Sequence, residues 1–197
     1  MEREITIIQR VQMNSGIPCL SPDLHSASAL EQDPAARVMT DFSRIVPITV
    51  EPTVNIDLAL RKMKDSGVRL LLVTDAHDNI AGVITSYDIQ GEKPIKYSEE
   101  YGIHHSRISV EKIMTPLEQM PAFDYAFVQQ SLVRHVIGTL KTLNRQHALV
   151  VETLQGQQRI RGMISTSQIS KMLGTALDET LHAAGSLADM QQERTMY

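Results

Sequence analysis

The 197 residues are 42% hydrophobic and 21% charged, which is typical of a folded globular chain and excludes a largely disordered one. Lys and Arg number 19 against 23 Asp and Glu, and the resulting net charge of −4 disfavours binding to nucleic acid. Cys19 is the only cysteine, so no internal disulfide can form, and no apolar run approaches the roughly 18 residues of a membrane span. The sequence therefore predicts a cytoplasmic protein without nucleic-acid or membrane partners.

The chain contains an internal repeat, because three short sequences recur in the same order. VMT at 38–40 returns as IMT at 113–115, LLVTD at 71–75 as ALVVE at 148–152, and GVIT at 82–85 as GMIS at 162–165. Each copy is too short to bury a good core alone, so we expect the two copies to pack together.

The first copy is predicted to contain, in chain order, a strand, a helix, two strands and a second helix. The predicted strands cover residues 45–50, 70–73 and 80–84. Four apolar residues have the i, i+3, i+4, i+7 spacing of an amphipathic helix: Ile56, Ala59, Leu60 and Met63. Gly67 ends this helix, and Thr85 begins the second one.

The second copy repeats this order. Its predicted strands cover residues 120–123, 148–151 and 159–164. A single helix carries the apolar residues between 128 and 143, and a last helix runs from Ser165 towards Leu173. The predicted fold class is therefore α/β of the α+β kind, built from two βαββα units.

Three segments lie outside the copies, which we assign to residues 37–92 and 110–174. Residues 1–36 are an accessory segment: an apolar stretch within 1–20 predicts one strand, and Ser21-Pro22-Asp23 begins a helix that ends near Gln32, before a restart at Asp33-Pro34. Residues 93–109 are predicted to be a polar linker, and residues 175–197 a helical tail.

Together these motifs resemble those of a tandem CBS-domain protein of the stand-alone bacterial type, also called a Bateman module. The resemblance rests on the recurring sequences, on TVEPTV at 49–54 and on GVITSYDI at 82–89, and it covers about residues 37–174. It implies that the two βαββα units pack pseudo-symmetrically through their sheets and leave two clefts. It also implies that the clefts bind adenosyl ligands such as AMP, ADP, ATP or S-adenosylmethionine, with no cofactor required.

Residues 85–88 carry the main ligand prediction. A strand runs into a helix here, and the free backbone N–H groups of such a junction suit an anionic group. The carboxylate of Asp88 can accept hydrogen bonds from both ribose hydroxyls, as acidic side chains do in dinucleotide-binding folds. The resemblance assigns the ribose to Asp88, with Thr85 beside it and Tyr87 facing a phosphate. The same four residues also fit a capping box that binds nothing.

The second copy lacks this carboxylate. Gln168 takes the place of the aspartate, behind a capping Ser165 that stands at the equivalent cleft position. Because an amide offers no carboxylate to a ribose diol, we expect at most one strong adenosyl site per chain, at Asp88.

Further cleft-lining residues are predicted at the strand ends: Ile48, Val68, Arg69, Arg145 and His147. The two arginines can meet a phosphate, or they are solvated charges at helix ends. His147 is either a phosphate contact or a partly buried imidazole. The resemblance places the backbone of Ile48 against the adenine, while its side chain fits a core position.

The sequence predicts neither a catalytic nor a metal site. His104-His105 has no cysteine nearby to complete a zinc site, and there is no Ser-His-Asp order or Walker loop. We therefore expect a non-enzymatic, homodimeric ligand sensor that acts on an unidentified regulated protein. The alternative is a ligand-free homodimeric interaction scaffold, and an enzyme with an unrecognised site is a third interpretation.

Overall fold

The computed structural model describes residues 29–175 and residue 177. The strand predicted within residues 1–20 and most of the helix predicted from residue 21 to Gln32 lie outside the described residues, as does most of the predicted tail. Residues 29–32, where that helix was predicted to end, are not helical. The helices and strands are β1 (Thr40–Asp41), β2 (Thr49–Val50), α1 (Ile56–Asp65), β3 (Leu70–Thr74), β4 (Ile80–Thr85), α2 (Ser86–Gln90), α3 (Lys93–Tyr101), α4 (Val110–Ile113), β5 (Thr115–Pro116), β6 (Ala122–Asp124), α5 (Tyr125–Gln130), α6 (Val133–Thr142), β7 (His147–Leu154), β8 (Gln157–Ser165) and α7 (Thr166–Leu173). Short 3-10 helices cover Ala35–Val38, His105–Arg107 and Leu117–Gln119.

Each repeat builds most of one four-stranded sheet. The strand orders are β2-β3-β4-β5 in the first sheet and β1-β8-β7-β6 in the second. In both sheets the first strand of the repeat pairs in parallel with the second, which pairs antiparallel with the third. The predicted βαββα order is confirmed in both copies.

The two repeats exchange their leading strands, which the sequence did not predict. The strand β1 precedes the βαββα unit of the first repeat but pairs with β8 of the second, and β5 precedes the βαββα unit of the second repeat but pairs with β4 of the first. The recurring glycines, Gly82 in β4 and Gly162 in β8, lie where the exchanged strands β5 and β1 pair with these strands. A Cβ atom on Gly82 would stand 2.5 Å from the Thr115 carbonyl oxygen, and Gly162 meets the Thr40 carbonyl in the same way. Only glycine gives the leading strands room to approach.

The sheets pack against each other, as the resemblance implied. One cluster of apolar side chains draws its buried members from both repeats: Leu70, Leu72, Val83 and Leu149. Two further clusters lie between each sheet and its own helices. The central cluster joins the two repeats into one folded unit.

The helix predicted between residues 128 and 143 is in fact two helices, α5 and α6. The break comes at Ser131 and Leu132, where the segment before the first repeat inserts its backbone. The Ala35 N–H donates to the Ser131 carbonyl over 2.8 Å, and the Val133 N–H donates to the Asp33 carbonyl over 2.9 Å. A hydrophobic spacing alone does not reveal backbone hydrogen bonds taken by a distant segment.

The polar linker contains the helix α3, which the sequence analysis did not predict. Pro94 stands in its first turn, where a missing N–H costs nothing. Gly102 ends it with a φ of +64°, a left-handed conformation that favours glycine. Because α3 follows α2 after a short turn, its lysines Lys93 and Lys96 lie near the end of the first repeat.

A cluster of charged side chains fixes β1 to the second sheet. Arg161 donates to both carboxylate oxygens of Asp41 over 2.9 and 3.1 Å, and it also pairs with Glu152 at 3.3 Å. Its guanidinium lies 4.7 Å from the ring centroid of Tyr125. Hydrogen bonding from Arg161 holds the pKa of Asp41 well below its usual range.

The variant Asp41→Asn should be less stable than the parent at neutral pH, and this difference should shrink in acid. A carboxylate with a depressed folded-state pKa stabilises the fold above its unfolded pKa of about 4 and loses that contribution as the pH falls. Thermal melts of both proteins at pH 7 and pH 3 measure the difference. Asp65→Asn, at the exposed end of α1, controls for the loss of a charge, and an Asp41→Asn deficit unchanged at pH 3 would contradict this account.

Candidate functional site

The main cleft, of about 260 Å³, lies where the end of the first repeat faces the second. One wall carries Thr85, Tyr87 and Asp88 at the junction of β4 and α2, and the opposite wall carries Arg145, just before β7, and His147, the first residue of β7. A second cavity of about 380 Å³, here called the side lobe, shares Tyr87 and His147 with the main cleft and adds Arg69. Small-molecule sites are concave and measure about 300–1,000 Å³, a range that includes the side lobe and begins just above the volume of the main cleft.

Six of the nine predicted cleft residues therefore come together. Three others do not line the main cleft or its side lobe: Ile48, Val68 and Ser165. Ile48 and Val68 pack against the core of the first repeat. Ser165 is buried at the start of α7, where its hydroxyl accepts a hydrogen bond from the Gln168 N–H over 3.2 Å.

Pro121 takes the place in the cleft that the sequence analysis gave to Ile48. The two residues are equivalent, since the Leu72 N–H donates to the Ile48 carbonyl and the Leu149 N–H donates to the Pro121 carbonyl. The cleft lies between the start of α2 in the first repeat and the residues just before β6 in the second repeat. The backbone that faces Asp88 is therefore that of the second repeat, around Met120 and Pro121.

The hydrogen bonds also identify the counterpart of Arg69 in the second repeat. The Ser86 N–H donates to the Arg69 carbonyl, and the Thr166 N–H donates in the same way to the Gln146 carbonyl. Gln146 is thus the counterpart of Arg69, one position before His147. Asn144, with a φ of +50°, occupies the position that Gly67 has in the first repeat. Because the two residues differ, the sequence alone does not show that these positions are equivalent.

Asp88 is almost completely buried and forms the capping box that the sequence allowed. Its Oδ2 accepts hydrogen bonds from the Thr85 N–H over 2.8 Å and from the Thr85 hydroxyl over 2.6 Å. In return, the Asp88 N–H donates to the Thr85 hydroxyl oxygen over 3.0 Å. The N–H groups of Ser86 and Asp88 both have protein acceptors, so neither is open to an anion as the sequence analysis expected.

The second carboxylate oxygen of Asp88 is paired with a residue that sequence reasoning missed. The Lys93 ammonium, from α3, lies 2.7 Å from Oδ1. Lys93 also lines the cleft, together with Lys96 and Glu92. The only signal in the sequence is a lysine five positions after Asp88, and its significance depends on the unpredicted helix.

Other site types have little support among residues 29–175. No group of three or more His, Cys, Asp or Glu side chains in this part of the chain is placed to hold a metal ion. Nor is any helix there long and apolar enough to cross a membrane.

Comparison with known proteins identifies the first repeat. Residues 35–92 match the family model described as the CBS domain. No curated protein matches the chain with comparable significance.

Solved structures of low sequence identity align with this chain. An uncharacterized conserved protein from Pyrococcus horikoshii aligns with a TM-score of 0.54 and 21% identity, over 76% of this chain and 98% of its own. A CBS-domain-containing protein from Agrobacterium tumefaciens aligns with a TM-score of 0.49 and 22% identity, over 66% and 88% of the two chains. The CBS-pair protein CBSX2 from Arabidopsis thaliana, solved in complex with AMP, gives 0.47 and 18%, over 70% and 93%. At these identities the likeness concerns the fold alone.

Proposed function

We propose that this chain, whose residues 35–92 are a CBS domain, is a non-catalytic regulatory module that binds an adenosyl ligand in the main cleft. The ligand class is AMP, ADP, ATP or S-adenosylmethionine, and ligand binding signals to a partner protein through a conformational change. One observation carries the proposal: a buried carboxylate, Asp88, faces the cationic Arg145 across a cleft whose two walls belong to different repeats.

The polar groups of the cleft suit the two ends of a nucleotide. A carboxylate accepts hydrogen bonds from a ribose diol, and a guanidinium such as that of Arg145 pairs with phosphate in a bidentate manner. Met120 and Pro121 supply an apolar edge for a flat base. His147 and Arg69 meet at the side lobe, where a longer phosphate chain would extend.

The same geometry supports a regulatory role. A ligand held between Asp88 of the first repeat and Arg145 of the second would favour one spacing of the two walls over another. A ligand shifts a conformational equilibrium only when it binds the two states with different affinity. Because the two walls of this cleft belong to different repeats, a ligand that contacts both walls binds with different affinity when the spacing between the repeats changes.

Asp88→Asn tests the ribose assignment. The amide preserves the shape of the side chain but removes the charge, so adenosyl affinity should fall roughly tenfold to a hundredfold, the equivalent of a charged hydrogen bond. A thermal-shift panel of AMP, ATP, S-adenosylmethionine, NAD and cyclic dinucleotides first identifies the ligand, since one present at about 100 times its Kd stabilises the fold by roughly 2.7 kcal/mol. Calorimetry then compares the parent and the variant.

Asp124→Asn is the matched control. Asp124 also caps a helix, accepting hydrogen bonds from the Ala126 and Phe127 N–H groups over 2.8 and 3.3 Å, but it does not line the main cleft or its side lobe. Its substitution should leave ligand affinity unchanged. Equal affinity in Asp88→Asn and the parent would reduce Asp88 to a helix cap.

The interaction scaffold is the second candidate, favoured by the protein partners that already occupy both oxygens of Asp88. In either case we propose a homodimer. Leu58 on α1 and Leu143 at the C-terminal end of α6 are about half exposed, and we expect these two helices, along with α7, to pair with a second copy. A flat ligand panel together with a dimer in sedimentation would favour the scaffold over the sensor.

A further inference from the structure

The linker helix α3 places an ammonium group where a ligand would bind Asp88. The Lys93 Nζ lies 2.7 Å from Asp88 Oδ1. It also lies 3.3 Å from the Ile113 carbonyl and 3.5 Å from the Thr115 hydroxyl. These acceptors hold the ammonium at the cleft wall, while the side chain remains 44% exposed.

This contact leaves little acceptor capacity for a ribose. A carboxylate has about four acceptor positions, two on each oxygen. The N–H and hydroxyl of Thr85 take both positions on Oδ2, and Lys93 takes one on Oδ1. A diol needs two acceptor positions, so it displaces Lys93 when it binds to Asp88.

We infer that Lys93 is an internal competitor for Asp88, which makes the cleft select ligands that carry both a diol and a negative charge. This inference rests on the proposed function and names the determinant of its ligand class. Removing an ammonium from a carboxylate leaves an unpaired charge at the cleft wall, which is unfavourable. A ligand with a phosphate gives the displaced ammonium a new partner, whereas a neutral nucleoside gives it none.

The surroundings of Lys93 reinforce this selection. Lys96 and Arg145 line the same cleft, as does Glu92, whose carboxylate lies 3.7 Å from the Lys96 ammonium. Once Lys93 leaves Asp88, the cleft therefore presents three cationic side chains and one acidic one to the ligand. The four-carbon stem of a lysine allows its ammonium to move without unfolding the helix.

Lys93→Met tests the inference, with AMP and adenosine as probes in calorimetry. The freed carboxylate should tighten the binding of adenosine about threefold, the equivalent of an exposed ion pair. AMP gains the same advantage but loses its contact with the ammonium, an effect of roughly tenfold or more. The preference for AMP over adenosine should therefore fall about tenfold.

Lys96→Met is the matched control, since Lys96 lies on the same helix and lines the same cleft but pairs with Glu92 rather than Asp88. It should weaken AMP binding without tightening the binding of adenosine. If Lys93→Met binds adenosine no tighter than the parent, or keeps the parent's preference for AMP, the inference is wrong while the proposed function stands. If neither AMP, adenosine nor any adenosyl compound of the thermal-shift panel binds to the parent or to Lys93→Met, the proposed function fails and the inference with it.

Discussion

Replacing Leu149 by alanine should lower the free energy of unfolding by about 2–5 kcal/mol, the usual cost of removing a buried leucine side chain. Leu149 is 1% exposed and packs with Leu70, Leu72 and Val83 between the two sheets. A cavity there weakens the contact between the repeats as well as the core of one of them. Denaturant unfolding followed by circular dichroism measures the change.

Leu154→Ala provides the comparison, because Leu154 is 48% exposed at the end of β7. Its loss should alter stability by no more than about 0.5 kcal/mol. A Leu149→Ala protein as stable as Leu154→Ala would show that the sheets are not held together by this cluster. Both variants should unfold in one transition if the repeats form one cooperative unit.

Gly82→Ala should destabilise the protein by up to about 3 kcal/mol, through overpacking rather than through a cavity. The added Cβ would stand 2.5 Å from the Thr115 carbonyl oxygen and 3.3 Å from the Met114 sulfur. The oxygen belongs to the backbone of β5, so it can withdraw only if the strand leaves β4. The free energy of unfolding and the melting temperature report this loss.

Gly138→Ala should have the opposite sign. Gly138 lies within α6, and a Cβ there meets no atom within 4 Å. Alanine is the better helix former, by up to about 1 kcal/mol. If both alanine variants stabilise the protein, the close approach of β5 to Gly82 is not a constraint on the fold.

Local patterns predicted the units of this fold but not the connections between them. The apolar spacing of Ile56 to Met63 reflects packing within the first repeat, and the recurrence of GVIT as GMIS marks equivalent positions of two similar units, so the sequence shows both directly. The pairing of β1 with β8 and of β5 with β4 depends on backbone hydrogen bonds between distant segments. The side chains of two-residue strands have too little pattern to reveal it.

The candidate site divides in the same way. Thr85 and Asp88 lie in one short motif, and the motif predicted their capping box. Arg145 and His147 were predicted as cleft residues at a strand end, whereas Gln146 between them, the counterpart of Arg69, was not. Lys93 and Pro121 were missed because Lys93 begins α3 and Pro121 directly precedes β6, and tertiary packing sets the positions of both elements.

The exchanged strands impose an order on the folding of a chain made from one end. The partner of β1 lies 120 positions further along, as the pairing of Asp41 with Arg161 shows. Closing so long a loop is entropically costly, and contacts of this sequence separation slow the folding reaction. On a ribosome, the first sheet gains its edge strand only when Thr115 emerges, and β1 waits until β8 has been synthesised. The first residues of the first repeat are thus among the last to form hydrogen bonds with their sheet.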